Sequence, residues 1–245
     1  MSPTTRVRAA SRMRAHARWE IKLLLRNGEQ LLLMFVIPVA LLVGLEFAGS
    51  GWLGTSDAVP TVLAVSVMAT AFTSLAIGTG FERRSGALEY LGTTPLTRID
   101  LLVGKLLATF VLTCLSMGSI VLVGVLLGWE PRPSWTAAVL VTASGCLALG
   151  SWAIALAGLL RAEAVLALAN GLFVLLVMFG GVVVPPASMP SLLGAIASSL
   201  PSGALADGLR ESLGAASWPL VPIGVLLAWA VAGALLARRT FRWEP

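Results

Sequence analysis

Residues 82–95 form a polar stretch between long apolar runs, and they read ERRSGALEYLGTTP. Ser85 is suited to cap the start of a helix there, because its hydroxyl can accept hydrogen bonds from the free N–H groups of the first turn. Gly92 and the nearby Pro95 are typical of a helix end. About seven helical residues remain, and a helix of ~10 Å is too short to be stable alone in water. We therefore expect packing to hold it, in a groove of a soluble partner.

The two faces of this short helix differ in chemistry. Helical spacing places Ala87, Leu88 and Leu91 on one apolar face. The charged residues at and before the helix are left for polar contacts, and they are Glu82, Arg83, Arg84 and Glu89. This combination predicts a protein-binding surface.

Two further polar residues fall inside apolar runs, where a polar side chain is costly and is a candidate for function. Glu46 either reaches water at the outer surface, one or two turns away, or lines a transport path. Asn170 either lines that path or forms a hydrogen bond with a neighbouring helix. An intramembrane enzyme would need paired catalytic groups, and the isolated Glu46 does not provide them. We predict no catalytic residue and no metal site in this chain.

The elements that must position these residues are membrane helices. The chain has 245 residues, of which 57% are hydrophobic and 12% charged, far from the composition of soluble proteins. A helix needs about 20 apolar residues to cross a membrane, and the runs here are too long and unbroken for membrane β-strands. We predict an all-α integral membrane protein with six spans, at residues 31–47, 59–81, 101–127, 135–160, 164–184 and 218–237.

Basic residues set the orientation of these spans. With both termini in the cytoplasm, fifteen of the seventeen Lys and Arg residues lie inside, and only Arg132 and Arg210 lie outside. Cytoplasmic loops of membrane proteins carry this excess of positive charge. We therefore predict a multi-pass protein of the bacterial plasma membrane, with a cytoplasmic arm at residues 1–30 and a cytoplasmic tail at residues 238–245. The basic residues lack any accompanying nucleic-acid motif, so no nucleic-acid partner is expected.

The arm is predicted to form an amphipathic helix over residues 10–26. A basic stripe at i, i+4 spacing consists of Arg14, Arg18, Lys22 and Arg26. Each basic residue near an anionic leaflet contributes on the order of 1 kcal/mol to binding. The helix should therefore lie flat on inner-leaflet lipids, although a solvated arm is the alternative.

A proline-rich segment at residues 185–213 follows the fifth predicted span. Two helices, each too short to span, are predicted after the prolines Pro185 and Pro190. The first runs up to Pro201, and the second follows Pro201 and carries Asp207 and Arg210. The first is too apolar for water. A re-entrant or interfacial outer hairpin satisfies both limits if its backbone is buried in protein or faces a cavity.

Several separated motifs together resemble the permease subunits of bacterial type-2 ABC exporters, a family that includes daunorubicin-type multidrug efflux, lipid and glycan-precursor export systems. In that family the first cytoplasmic loop reads approximately Glu-Arg-x-x-Gly-(Thr/Ala)-Leu-Glu-x-Leu-x-x-Thr-Pro and leads to a Gly-Lys pair. The residues here that match this pattern are Glu82, Arg83, Gly86, Ala87, Leu88, Glu89, Leu91, Thr94, Pro95, Gly104 and Lys105. The entry to the first span at residues 26–38 and the outer hairpin are also similar.

The resemblance implies a mechanism. Residues 82–95, including Ser85, Tyr90 and Thr94, would be the coupling helix that docks on a separate ATPase subunit. Two permease copies, identical or related, would pair with two ATPases, and ATP and Mg would bind to those partners. Gly104 and Lys105 lack the glycine spacing and the Ser or Thr of a phosphate loop, so this chain itself supplies no cofactor site.

The cargo is less constrained. A path with few polar groups favours a hydrophobic or amphipathic substrate, drug-like or lipid-like, while export of a glycan or lipid-linked precursor stays open. The remaining alternative is a subunit that anchors or regulates an ATPase without transport.

Overall fold

A computed structural model describes residues 18–23, 25–26, 28–47, 55–93 and 97–240. All regular structure in these ranges is helical. Residues 18–23 form a helical segment ahead of the first long helix. This architecture confirms the all-α part of the predicted fold.

We number the helices along the described part of the chain. Helix α1 comprises Gly28–Leu31, a π-helical turn Leu32–Val36 and Ile37–Phe47, and α2 comprises Thr55–Met68, a π-helical turn Ala69–Ser74 and Leu75–Arg84. The remaining helices are α3 (Ala87–Gly92), α4 (Arg98–Leu126), α5 (Trp135–Leu159), α6 (Ala162–Phe179), α7 (Ser191–Ser199), α8 (Pro201–Gly214) and α9 (Leu220–Thr240). A 3₁₀ turn, Pro186–Ser188, precedes α7.

Five of these helices, α2, α4, α5, α6 and α9, are long and apolar enough to cross a membrane. They match five of the six predicted spans. The first predicted span, residues 31–47, lies entirely within α1, and its apolar part among the described residues is Met34–Phe47, which at 1.5 Å per residue is about 20 Å long. Helices α7 and α8, which meet at a 90° bend, are together long and apolar enough to cross a membrane. The described residues therefore hold five or six candidate spans.

Helix α5 forms the centre of the bundle, because 67% of its apolar stretch is buried inside the protein, whereas only 17% of the apolar stretch of α6 is buried. Its closest neighbour is α9. A Cβ atom on Gly233 would lie 2.2 Å from Ser151 Oγ and 2.6 Å from Trp152 Cδ1, so the missing side chain allows the two backbones to approach. Trp152 of α5 and Trp229 of α9 pack edge to face between the two helices, with ring centroids 5.5 Å apart.

Contacts define two ends of the bundle. The charged end contains Arg83, Arg84, Lys105 and Glu163, and Arg83 reaches the final carbonyls of α5 there. The hairpin end contains residues 180–214, where Arg210 bonds to Thr61 at the start of α2. Consecutive long helices therefore run in alternating directions between these ends.

The hairpin end follows the predicted prolines. Pro190 immediately precedes α7, and Pro201 is the first residue of α8 after the sharp bend. Arg210 donates hydrogen bonds to Asp207 Oδ1 at 3.0 Å and to the Gly181 carbonyl at 3.2 Å, and it also bonds to the Val182 carbonyl. It therefore fastens the hairpin to the segment before Pro185.

That segment leaves α6 earlier than predicted. The fifth span was expected to run to residue 184, but α6 ends at Phe179. Gly180 follows as its C-cap, and Gly181 adopts a φ of 79°, a left-handed conformation that glycine tolerates and that commonly ends helices. The valines at residues 182–184 therefore lie in the connection between α6 and α7, although their hydropathy suits a span.

Candidate functional site at the charged end

Helix α3 is the short polar helix expected from the sequence, and it has six residues. The prediction that Ser85 caps its start is wrong. Ser85 ends α2 instead, and its Oγ donates to the Glu82 carbonyl at 3.0 Å. Gly86 precedes α3 with a φ of 76°, so a left-handed glycine turns the chain where the sequence suggested a hydroxyl cap.

The faces of α3 differ from the expected ones at one residue. Leu88 is fully buried in a small apolar cluster with Leu101 of α4 and Ile154 of α5, and Leu91 packs partly buried against this cluster. Ala87 was predicted to share this face but is exposed. Tyr90, with 74% of its surface exposed, and the exposed Glu89 complete the outward face.

Glu82 lies in a buried ion cluster. Lys105 Nζ donates to Glu82 Oε1 at 2.9 Å and to Glu20 Oε1 at 2.8 Å. The Lys105 side chain is only 3% exposed, as is expected for an ammonium group held by two carboxylates. The cluster joins the helical segment 18–23, the end of α2 and the start of α4.

Arg83 binds the end of α5. It is nearly buried, and its two terminal nitrogens donate to the Gly158 carbonyl at 2.8 Å and the Leu160 carbonyl at 2.6 Å. The last carbonyls of a helix have no partner within the helix and carry the negative end of its dipole. The guanidinium group therefore satisfies both the hydrogen bonding and the charge of this terminus.

Arg84 reaches a third neighbour. It forms an ion pair with Glu163 in the first turn of α6, and both side chains are about 60% exposed. An exposed pair of this kind contributes little stability. The pair does bring the start of α6 into contact with Arg84, two positions before Gly86.

Glu82, Arg83 and Arg84, which we call the tether residues, thus bind different parts of the bundle immediately before α3. The sequence suggested that their charges face a partner, but Glu82 and Arg83 are used within the chain. Glu89 and Tyr90 point outward instead. Thr94 and Pro95, the last two predicted interface residues, lie outside the described residues.

The predicted lipid-binding stripe is only partly described. Arg18, Lys22 and Arg26 are exposed, while Arg14 lies outside the described residues. Glu20 on the same segment is 4% exposed and turns toward Lys105. This segment is therefore held by a buried contact as well as presenting basic side chains outward.

The two candidates for a substrate path lie elsewhere. Glu46 is half-buried in the last turn of α1. Asn170 is exposed on α6, and its Nδ2 donates to the Leu166 carbonyl of the same helix at 2.9 Å rather than to a neighbouring helix. The structure does not bring these two residues together with the tether residues.

Sequence reasoning missed Glu20, Lys105 and Glu163 as partners of the tether residues. Two of them had a signal. Lys105 interrupts an apolar run at membrane depth, where a lysine requires a carboxylate or carbonyl partner. Glu20 stands one residue before Ile21, on the apolar side of the predicted arm helix. Glu163 had no such signal, because an acidic residue in the first turn of a helix is favourable by itself.

Comparison with protein families gives one assignment. The model of the ABC-2 type transporter family matches residues 12–213, which include the charged end and the hairpin end. Comparison with curated proteins finds no match. Membrane domains of this family are transport components that work with ATPase subunits and are not catalytic themselves. The chain therefore belongs to the ABC-2 type transporter family and is consistent with a permease subunit of an ABC-2 exporter.

Proposed function

We propose that this chain is the permease subunit of an ATP-driven exporter and that α3 is its coupling helix, docked on a separate ABC ATPase. The observation that carries the proposal is the outward face of α3. Tyr90 is 74% exposed on a six-residue helix whose opposite side is buried at Leu88. A large exposed aromatic on a rigid short helix suits a groove of a partner protein.

The tether residues provide the transmission. A shift of α3 pulls on Gly86 and the adjacent tether residues, which bind α4, α5 and α6 and, through Lys105, segment 18–23. ATP-driven closure of the two ATPases would thus be passed to four parts of the bundle. Rigid-body movement of packed helices then alternates access to the path.

Assembly and orientation follow the same reasoning. Two permease copies, identical or related, pair with two ATPases, which bind ATP and Mg. The charged end faces the cytoplasm of a bacterium, in line with the positive-inside rule, and both termini lie there. The coupling segment of the full proposal is residues 82–95, and the basic side chains Arg18, Lys22 and Arg26 lie against inner-leaflet lipids.

The cargo is proposed to be hydrophobic or amphipathic. Asn170 faces away from its own bundle on α6, so a path between two copies would include it. The surroundings of Asn170 on α6 are apolar, and Leu166, Val174 and Leu175 are exposed there. Such a surface gives few hydrogen bonds to a long hydrophilic polymer. A glycan or lipid-linked precursor, or an ATPase anchor without transport, is the competing outcome.

Site-specific photo-crosslinking tests the docking claim. A photoreactive amino acid replaces Tyr90 in cells of the source organism, and Trp218, a 54% exposed aromatic ahead of α9, is replaced in a matched control. The Tyr90 probe is expected to capture a protein with an ABC ATPase phosphate loop, identified by mass spectrometry, while the Trp218 probe captures none. Equal capture at both positions, or none at Tyr90, contradicts the proposal.

A further inference from the structure

An apolar groove lies between α4 and α5 on the surface of the bundle. It contains two cavities, with volumes of about 190 Å³ and about 230 Å³. The first is nearer the hairpin end, where Trp135 and Leu213 line it. The second follows further along the same two helices, and Phe110 and Leu147 are among its lining residues. The groove is open to the surroundings of the bundle, because Val139 is 51% exposed and Leu147 is 44% exposed.

The wall of the first cavity leaves room for an apolar occupant. Gly118 lines it, and a Cβ atom there would meet no other atom within 4 Å. The hydroxyl of Thr142 donates to the Ala138 carbonyl at 2.8 Å, so it requires no hydrogen bond from an occupant. Apolar cavities of about 150 Å³ stay dry and take up hydrocarbon guests such as benzene. The groove therefore suits hydrocarbon better than water.

The length of the groove matches one leaflet of a membrane. From Trp135 to Leu147 along α5 it is about 18 Å long, at 1.5 Å per residue. The hydrocarbon core of a bilayer is about 30 Å thick, so each leaflet contributes about 15 Å. Trp135 is 52% exposed in the first turn of α5, and tryptophan favours the headgroup level of a membrane. One acyl chain of a lipid at the hairpin end would therefore fit along the groove.

Charged side chains surround the end of the groove at Trp135. The backbone N–H of Arg132 donates to the Leu213 carbonyl at 2.9 Å, which holds Arg132 beside the first cavity. Two carboxylates are near, since Glu130 lies two residues from Arg132 and Glu211 lies two residues from Leu213. All three charged side chains are exposed, and within the described part of the chain none of them has a hydrogen-bond or ion-pair partner. The rim of the groove therefore presents one free cation together with two carboxylates.

A zwitterionic headgroup complements this rim. A guanidinium group can bind a phosphodiester through two parallel hydrogen bonds, and a primary ammonium can donate to carboxylates. The two carboxylates disfavour a lipid that carries only negative charge. We propose that the groove binds a membrane phospholipid with an ethanolamine headgroup. Its phosphate contacts Arg132, its ammonium contacts Glu130 or Glu211, and one acyl chain fills the two cavities. The chain alone forms this site, so binding does not depend on ATPase coupling or on the cargo.

Photo-crosslinking of the purified full chain in detergent micelles, without ATP or ATPase, tests the proposal. The probe is phosphatidylethanolamine with a diazirine in one acyl chain, and the labelled residues are mapped by mass spectrometry. We expect saturable labelling within residues 103–121 and 135–147, with competition by unlabelled phosphatidylethanolamine. Phosphatidylcholine and phosphatidylglycerol should compete at least about tenfold more weakly, since each lacks the primary ammonium and its hydrogen bond to a carboxylate.

Substitutions test the headgroup and the acyl chain separately. Arg132→Gln should weaken binding at least about tenfold, because the phosphate loses a charged hydrogen-bond donor. The double variant Glu130→Gln with Glu211→Gln should lose the preference for ethanolamine over choline. Gly118→Leu should weaken labelling, because the leucine side chain fills the first cavity. Its matched control is Gly224→Leu on α9, where a larger side chain also meets open space and where labelling of the groove should be unchanged.

Three results would overturn the proposal. Labelling that does not saturate, or that is equally strong on α6 and α9, would mean that the groove holds no specific lipid. Stronger competition by phosphatidylglycerol, or an unchanged headgroup preference in the double glutamine variant, would refute the ethanolamine assignment. Wild-type binding by Gly118→Leu would refute the position of the acyl chain. Should Gly118→Leu fail to fold, wild-type binding by Arg132→Gln, a substitution in an exposed loop, would overturn the site instead.

Discussion

Replacing Lys105 by Met should strongly destabilise the charged end. Lys105 is 3% exposed and binds two carboxylates, and its loss leaves Glu20 and Glu82 facing each other without the shared cation. Breaking a buried ion pair by removing one partner costs about 3–5 kcal/mol. With an unfolding entropy of about 2.1 cal/mol/K per residue, this corresponds to a fall of about 6–10 °C in the unfolding midpoint.

Arg84→Ala is the matched comparison at the same end of the bundle. Arg84 and Glu163 form an ion pair at 60% and 62% exposure. Exposed pairs contribute about 0.2–1 kcal/mol, so the expected fall is about 2 °C or less. Comparing the two variants therefore shows how much more stability is lost when the ion pair that is broken is buried than when it is exposed.

Thermal unfolding of the purified chain can be followed with a thiol-reactive fluorophore in a Cys114→Ser background, because Cys114 is partly exposed whereas Cys146 is buried and becomes reactive only on opening. A triple variant, Lys105→Met with Glu20→Gln and Glu82→Gln, should recover much of the loss, since the two carboxylates that lose the ammonium group are then neutral amides. If the triple variant is as unstable as Lys105→Met, lost packing explains the effect and the electrostatic reasoning is refuted.

Four other substitutions have definite expectations. Gly233→Ala should lower the unfolding free energy by about 1–3 kcal/mol in the same thermal assay, because the added methyl group would be overpacked against α5. Gly224→Ala on the same helix should be neutral or stabilising, because there is open space around Gly224. Gly86→Ala meets no neighbouring atom but must adopt a φ of 76°, at about 1–2 kcal/mol, so ATPase coupling should fall in vesicles while membrane insertion persists. Arg210→Gln should release the segment before Pro185 and raise its protease sensitivity; unchanged cleavage would contradict the role of Arg210.

The elements were largely predictable because hydropathy and helix length are local properties. Five long helices fall where apolar runs predicted them, and Pro190 immediately precedes α7 while Pro201 is the first residue of α8, positions that suit a fixed φ and a missing N–H. The end of α6 was not predictable from hydropathy. It depends on Gly181 adopting a left-handed conformation beside Pro186.

The partners of the tether residues were beyond local reasoning. Glu20 and Lys105 are 85 positions apart, and Arg83 bonds to carbonyls 75 and 77 positions away. Nothing in the local sequence distinguishes a guanidinium group that caps its own bundle from one that binds another protein. The prediction that Ser85 caps α3 was wrong because a good N-cap residue next to glycine can instead end the preceding helix, as Ser85 ends α2.

ATP-driven transport in reconstituted vesicles tests the central claim most directly. The chain is reconstituted with its captured ATPase, and movement of an amphipathic fluorescent dye and of a fluorescent phospholipid is measured with and without ATP. We predict ATP-dependent movement of at least one probe by the wild-type chain and its loss in Tyr90→Ala, with Trp218→Ala unaffected. Wild-type ATPase binding without movement of either probe, or full transport by Tyr90→Ala, would contradict the account.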